Sequence, residues 1–523
     1  MSSFKNLSSQ LYKMGVRHLF GIPGSGAALD LITDCEDIGI PFFLNTHEAS
    51  SAIMAGTIGR LSGNPGVSVS IKGPGLANMT CGLAYCKFEG YPLLSISECY
   101  AQDTAESVQH KRINHGSLIN ELVKDRCFWN EATETIQYLV ESSIKEIPGP
   151  VHLELAHARN QEIKGRPIVH EPELQPLSKK HFFNSIHLAK KPILVFGSVI
   201  TRNKDKELLK KIRKLKIPSF TTVSAKGVID EDNENAAGIF VGVGKNLALE
   251  AVLLEKADLV IGIGLRNTEV LKAIPFTCKS INLDCIGENH EGFDFSVCLI
   301  DEIVVTLDEI AEILKDKIWG IDEIKQAKKT LRKELLTSSF LPANLLDVLQ
   351  QYLGKDVTAV FDTGNFCVVA ENIWSSHKPL DTLGAPHSRY MGVALPSAIA
   401  ASIYNAAIPT ICLAGDGGLP MYLSEMKLAI RLKLPLLVIL ALDGYLGSIR
   451  SRVLRDGLSE KSVTIQNPSW VKIFEALGCL SSVVSTLPEF ETALSHWDFK
   501  SGPCFIEAQF DPALCQDMVR IVR

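Results

Sequence analysis

Short, continuous apolar runs alternate along the chain with longer stretches whose apolar residues recur at helical spacing, almost from end to end. Strands alternating with helices in this way predict an α/β architecture built on parallel sheets. Three blocks separate. The first closes on the strand VHLEL, which follows the turn signal Pro148-Gly149-Pro150. Residues 156–191, with Pro167, Pro172 and Pro176 among mixed charges, read as a linker. The second block opens with PILVFG at Pro192 and continues through the basic helix KDKELLKKIRKL and the strands IPSFTTV, ADLVIGIG and KSINLD. A charged helical stretch at 325–333 precedes the third, which carries DVTAVFDTG, PTICLAGDGG and LPLLVILALDG. The expected segments are 1–165, 185–325 and 340–523, each a doubly wound sheet domain, with no short-period repeat.

Composition narrows the class. The 523 residues suit three or four domains at about 150 residues each, which excludes a small binding module. With 53 Lys+Arg against 59 Asp+Glu, the net charge of −6 gives no reason to expect nucleic acid or an anionic membrane as partner. The longest apolar run, at 434–442, is far shorter than a membrane span and reads as a buried strand. Thirteen scattered cysteines without a CxxC pair argue against zinc-ribbon and thioredoxin chemistry. They read as reduced core residues. The N-terminal MSSFKNLSSQLYKMGVRHLF predicts an amphipathic helix rather than a secretion signal, so the expected location is cytoplasmic.

The strongest chemical signal lies at 409–450. An apolar strand ends at Ala414, Gly415-Asp416-Gly417-Gly418 makes the turn, and Leu423, Met426 and Ile430 mark a helix face. A second buried strand then ends at Asp443-Gly444. One βαβ unit brings both strand ends to the carboxyl edge of a parallel sheet, so Asp416 and Asp443, 27 positions apart, converge there. Glycines beside Asp416 admit a phosphate close to the backbone, and two hard oxygen donors suit Mg²⁺. Alone, Asp443 would read as a turn residue. The middle block's GIGLRN (262–267) and VGVGKN (241–246) do not make a GxGxxG opening a first βαβ unit, which argues against a nicotinamide cofactor.

GDGG followed 27 residues later by a ligand position resembles the diphosphate and magnesium motif of thiamine-diphosphate enzymes. That family usually has Asn where this chain has Asp443. Residues 44–96 resemble the pyrimidine-binding domain of the acetolactate synthase and pyruvate oxidase branch, in which His-Glu opens a helix and Gly-Pro-Gly follows the next strand. The resemblance gives Glu48 the catalytic glutamate position and sets Gly73-Pro74-Gly75 beside the cofactor. A carboxyl group there can share a proton with a pyrimidine ring nitrogen. Without the resemblance, Glu48 would read as an acidic residue favoured by a helix N-terminus. The resemblance also places Pro23, Gly364, Asn365, Gly415, Asp416, Gly417, Gly418, Tyr445 and Leu446 at the cofactor, and Asp416, Asp443 and Tyr445 on the metal. Met391, in the segment 383–401, takes the place of the apolar wedge that bends the cofactor. Ordinary core packing is the alternative for Met391.

What the resemblance implies is a pyrimidine-binding domain, a Rossmann-like central domain and a diphosphate-binding domain, in a homodimer or homotetramer with active sites at the subunit interface. The implied cofactors are thiamine diphosphate and Mg²⁺. The implied reaction is decarboxylation of a small 2-oxo acid with carboligation, as in acetolactate synthase; release of an aldehyde, and a catalytically silent relative, are the alternatives. The segment 106–116 mixes Gln109, as in the synthase branch, with His110, as in the decarboxylase branch, and both are candidate catalytic residues. His115 is a further candidate proton relay, and a solvated basic loop is the competing reading of both histidines. Lys72 stands where relatives often carry a small residue, and is expected to put a cation at the cofactor mouth. Residues 264–267 leave a flavin open.

Overall fold

A computed structural model describes residues 4–101, 104–105, 107, 109–156, 179–202, 206–270, 276–284, 286–287, 293–298 and 303–523. It holds three six-stranded sheets, and every strand pairing within them is parallel.

The first sheet contains β1 (Leu19–Gly21), β2 (Phe42–Leu44), β3 (Gly66–Ser70), β4 (Leu93–Glu98), β5 (Arg126–Phe128) and β6 (Pro150–Leu155), in the order β2-β1-β3-β4-β6-β5. The second contains β7 (Pro192–Phe196), β8 (Ser219–Thr221), β9 (Ala236–Ile239), β10 (Leu259–Ile263), β11 (Lys279–Asp284) and β12 (Phe295–Cys298), in the order β12-β11-β10-β7-β8-β9. Read from the other edge, that is the Rossmann order. The third contains β13 (Thr358–Phe361), β14 (Thr382–Leu383), β15 (Thr410–Gly415), β16 (Leu436–Leu442), β17 (Leu480–Val484) and β18 (Cys504–Gln509), in the order β14-β13-β15-β16-β18-β17. The first and third sheets therefore share one topology, although no sequence repeat announces it.

In an open parallel sheet, ligands bind beyond the carboxyl ends of the strands where the winding reverses. That crevice falls between β1 and β3 in the first sheet and between β13 and β15 in the third. The apolar runs that predicted strands are buried on both faces: β3, β4 and β6 are buried throughout, as is β16 up to its last residue. The Glu48–Ser62 helix is buried from Glu48 to Arg60 and lies against the Pro74–Glu89 helix. Gly82 makes that approach possible, since a Cβ there would come 2.5 Å from the Ala49 carbonyl oxygen.

Two expectations need correction. The face marked by Leu423, Met426 and Ile430 is not one helix. Leu419–Glu425 is a 3-10 segment, kinked at Tyr422, that leads into the short helix Met426–Arg431. The stretch read as linker also ends in a helix, Lys179–Leu188, whose Phe182 and Ile186 are buried in the second domain's core. Pro167, Pro172 and Pro176 lie outside the described residues. Eleven of the thirteen cysteines are shown as free thiols, and no described helix is long and apolar enough to cross a membrane.

Candidate active site

The third sheet builds half of a site. The turns after β13, β15 and β16 line one cleft of about 260 Å³, which contains Gly364, Asn365, Met391, Gly415, Asp416, Gly417, Gly418, Asp443, Tyr445 and Leu446. Asp416 and Asp443 follow neighbouring strands paired at Gly415 and Ala441, so the convergence read from the sequence is present. Oδ2 of Asp416 accepts from the Gly444 amide at 3.0 Å and from Asn467 Nδ2 at 2.7 Å. Oδ1 of Asp443 accepts from the Tyr445 amide at 3.0 Å. Burial raises the carboxyl of Asp416 and, with Asp416 adding repulsion, pushes that of Asp443 up to about 6.

The glycines are a cradle rather than a packing accident. A Cβ on Gly418 would lie 2.0 Å from Oδ2 of Asp362, and one on Gly417 would lie 2.8 Å from Leu446 and 3.5 Å from the Met391 sulfur. Asp362 is buried behind them and accepts from the Gly392 amide at 2.9 and 3.0 Å, which holds the backbone next to Met391. Burial pushes its carboxyl up to about 7. Asn365 caps the floor: its Nδ2 donates to Gln516 at 3.3 Å and its Oδ1 accepts from Ser448 at 3.0 Å. Tyr445 carries the Arg450 guanidinium over its ring at 3.8 Å, so its side chain faces a cation. Paired buried carboxylates beside a glycine turn fit a hydrated divalent cation and a diphosphate.

The first sheet holds the other half. Glu48 begins its helix after β2, with the His47 Nδ1 accepting from the Ala49 amide as cap. The Glu48 carboxylate is 6% exposed and accepts from Asn78 Nδ2 at 3.0 Å. A Cβ on Gly75 would come 3.4 Å from the other carboxylate oxygen, so the Gly73-Pro74-Gly75 turn walls Glu48. Pro23 sits on the loop after β1, across the crevice from that turn. Buried Glu98 ties the two together: it accepts from the Ala28 amide at 3.1 Å and pairs with Lys72 at 2.9 Å. Lys72 is thus a compensated cation lying 5.0 Å from the Tyr100 ring centroid, a pairing that the sequence did not reveal.

Gln109 lines a second, polar cavity of about 300 Å³ with Lys72, Lys111, His115 and Arg126, and donates to the Thr104 carbonyl. His110 is exposed and meets the Tyr100 hydroxyl at 3.0 Å. The structure does not bring the two halves together within one chain. The described residues lining the Asp416 cleft all lie between 342 and 518, and Glu48 is not among them. Sequence reasoning missed Asp362, Asn467 and Glu98. Asp362 at the end of a buried strand was a readable signal, whereas the other two act through contacts that spacing does not reveal.

The chain matches three domain families of the thiamine pyrophosphate enzymes: the N-terminal TPP binding domain over residues 1–119, the central domain over 180–291 and the C-terminal TPP binding domain over 362–508. It is 24% identical to the acetolactate synthase of Bacillus subtilis (strain 168), across 96% of this chain and 92% of that protein. It is 26% identical to the catabolic acetolactate synthase of Raoultella terrigena, across 84% and 82%. The large subunit of acetolactate synthase isozyme 3 from Escherichia coli (strain K12) is 22% identical, across 95% and 92%. A glycine-cradled carboxylate pair on one sheet, a buried glutamate on a sheet of the same topology and these matches agree: the chain belongs to the thiamine-diphosphate-dependent enzymes of the acetolactate synthase, pyruvate oxidase and pyruvate decarboxylase family, whose cofactors are thiamine diphosphate and Mg²⁺.

Proposed function

We propose that the protein decarboxylates a small 2-oxo acid and transfers the resulting acyl anion equivalent to a second carbonyl, as an acetolactate-synthase-like enzyme. The observation that carries this reading is the division of the site: a metal and diphosphate cradle on the third sheet, and Glu48 with its glycine turn on the first. Two copies of the chain placed head to tail would complete two sites. A homodimer is then the smallest active form, and a homotetramer is two of these.

In this reading Asp416, Asp443 and the Tyr445 backbone hold the magnesium, and Gly415, Gly417, Gly418, Gly364 and Asn365 hold the diphosphate. When bound, thiamine diphosphate would supply the nucleophilic carbon and the electron sink that decarboxylation of a 2-oxo acid needs. Glu48 holds a proton at the pyrimidine nitrogen, in surroundings dry enough to keep that proton shared. Met391, backed by Asp362 through Gly392, fixes the cofactor's bend. Pro23 and Gly73 to Gly75 border the pyrimidine. Gln109 and His110 lie on the loop that meets the substrate, Gln109 as hydrogen-bond donor to its carboxylate and His110 as proton carrier. The free thiols, most of them buried, support a reducing, cytoplasmic location.

The test is incubation of the cofactor-loaded protein with a panel of 2-oxo acids, following carbon dioxide and identifying products. Acetolactate from pyruvate is expected. An aldehyde as sole product would assign simple decarboxylation instead. Loss of cofactor C2 proton exchange in Glu48→Gln, with exchange in the parent chain, separates an enzyme from a silent relative.

A further inference from the structure

We propose that His115 is the positioning residue of the Gly73-Pro74-Gly75 turn, acting as a neutral imidazole with its proton on Nδ1, and that it thereby sets the wall facing Glu48. The proposal rests on the role given to Glu48 above. Gly73 has φ +67° and ψ −103°, a conformation costly for any residue with a side chain. The space is closed as well, since a Cβ there would meet the Lys111 carbonyl oxygen at 1.9 Å. Glycine reaches this conformation without strain but also reaches many others, so a contact to its amide selects this one among them. The Gly73 amide donates to Nε2 of His115 at 3.1 Å, and His115 is 6% exposed.

That one bond fixes the ring's chemistry. An Nε2 that accepts must keep its lone pair, so the neutral ring carries its hydrogen on Nδ1. Nδ1 faces Oε2 of Glu154 at 3.6 Å, and Oε1 of Glu154 is held by Arg126 at 2.5 Å. Arg126 holds Glu154 beside the ring, but Nδ1 of His115 makes no hydrogen bond to it at 3.6 Å, so the bonded contact of His115 is the one from the Gly73 amide. Two residues on, Gly75 borders Glu48, and Asn78 of the same helix donates to it. Around the ring stand Glu154 and His152 from β6, Arg126 from β5, Cys99 after β4 and, across the polar cavity, Lys72, Lys111 and Arg112. Burial pushes His152 down to about 3, so it stays neutral beside His115.

The same groups have the look of a metal site, because His115, His152 and Glu154 offer ligand atoms within 4.8 Å of one another. The hydrogen bonds argue otherwise. A metal on Nδ1 would require the His115 ring to lose its last proton while Nε2 still accepts from Gly73. The Arg126 guanidinium on Glu154 would add cation repulsion.

The experiment uses the full chain loaded with Mg²⁺ and thiamine diphosphate. Nitrogen-15 spectra of histidine-labelled protein should show the Nδ1–H tautomer for His115, and the Gly73 amide should exchange slowly. His115→Gln places an accepting oxygen near the position of Nε2 but does not titrate. It should keep cofactor C2 exchange within about threefold, whereas His115→Leu should slow exchange by about tenfold or more. Should His115→Leu fail to fold, the tautomer and the Gly73 exchange in the parent chain still decide. A proton on Nε2, a stoichiometric metal ion, unchanged exchange in His115→Leu, or equal losses in both variants would overturn the proposal. If instead Glu48→Gln exchanges like the parent chain, the role of Glu48 fails while the tautomer and amide measurements still judge His115.

Discussion

Asn467 donates its side-chain amide to Oδ2 of Asp416 at 2.7 Å, while its own carbonyl oxygen accepts from the Trp470 indole at 3.0 Å. The indole bond fixes which way the amide points. Oδ2 of Asp416 is then occupied by Asn467 and the Gly444 amide, which fixes the orientation of the carboxylate. Outer partners that orient a ligand typically change metal affinity by about 10- to 100-fold. Asn467→Ala should therefore weaken Mg²⁺-dependent binding of thiamine diphosphate by about tenfold with little loss of fold. Magnesium titration of cofactor binding checks this, and an unchanged midpoint would dismiss the orienting role.

Asp443 stands where family members usually carry Asn, and burial beside Asp416 disfavours its charge. Asp443→Asn keeps an oxygen donor and removes the repulsion, whereas Asp443→Ala removes the donor. The Asn variant should stay within about tenfold of the parent in magnesium affinity, and the Ala variant should lose considerably more. Calorimetric titration of both, with cofactor present, separates donor loss from charge loss; equal losses would show that Asp443 acts by charge alone.

The part of the site that was legible is the part carried by consecutive residues. Asp416 and Asp443 could be placed together because one βαβ unit obliges neighbouring strand ends to meet, and β15 and β16 do pair. Glu48 and the Gly73 turn were legible as helix-start and glycine signals within one sheet. The pairing of Lys72 was not legible because its partner Glu98 ends a different strand, and a salt bridge between strand ends leaves no trace in spacing. The helix after GDGG was misplaced because tertiary contacts, not periodicity, break it at Tyr422. The shared topology of the first and third sheets was invisible because burial demands only apolar character, which many unrelated sequences supply.

Glu425 shows how the first and third sheets are locked within a chain. Its carboxylate, 1% exposed, accepts from Asn45 Nδ2 at 3.1 Å, the Thr46 amide at 2.9 Å, the Thr46 hydroxyl at 2.6 Å and the Ser50 hydroxyl at 2.5 Å. These donors flank Glu48. Removing the carboxylate leaves several buried donors unpaired, so Glu425→Ala should cost about 3 kcal/mol. Glu425→Gln, which keeps one acceptor, should cost less. Urea unfolding midpoints compare the three proteins, and a neutral Glu425→Ala would mean that water replaces the carboxylate.

Glu89 gives a further pH dependence. It ends the Pro74–Glu89 helix and accepts from the Ser388 amide at 3.0 Å, the Ser388 hydroxyl at 2.7 Å and the His387 amide at 3.4 Å, just ahead of Met391. Burial outweighs these bonds and pushes its carboxyl from 4.5 up to about 7. Below pH 4.5 the group is protonated in both folded and unfolded chains. Between 4.5 and 7 the unfolded chain releases the proton while the folded chain retains it, so stability falls as pH rises through that window and levels off above it. The cost accumulated by pH 8 is about 3 kcal/mol. Glu89→Gln keeps an oxygen for Ser388 and has no charge to bury. It should flatten this part of the profile and leave the protein at least as stable as the parent at pH 8, read as thermal midpoints from pH 5 to 8. A parent-like slope in Glu89→Gln, or a large loss of stability at pH 8, would show that the ionised carboxylate is instead held favourably by Ser388 and His387.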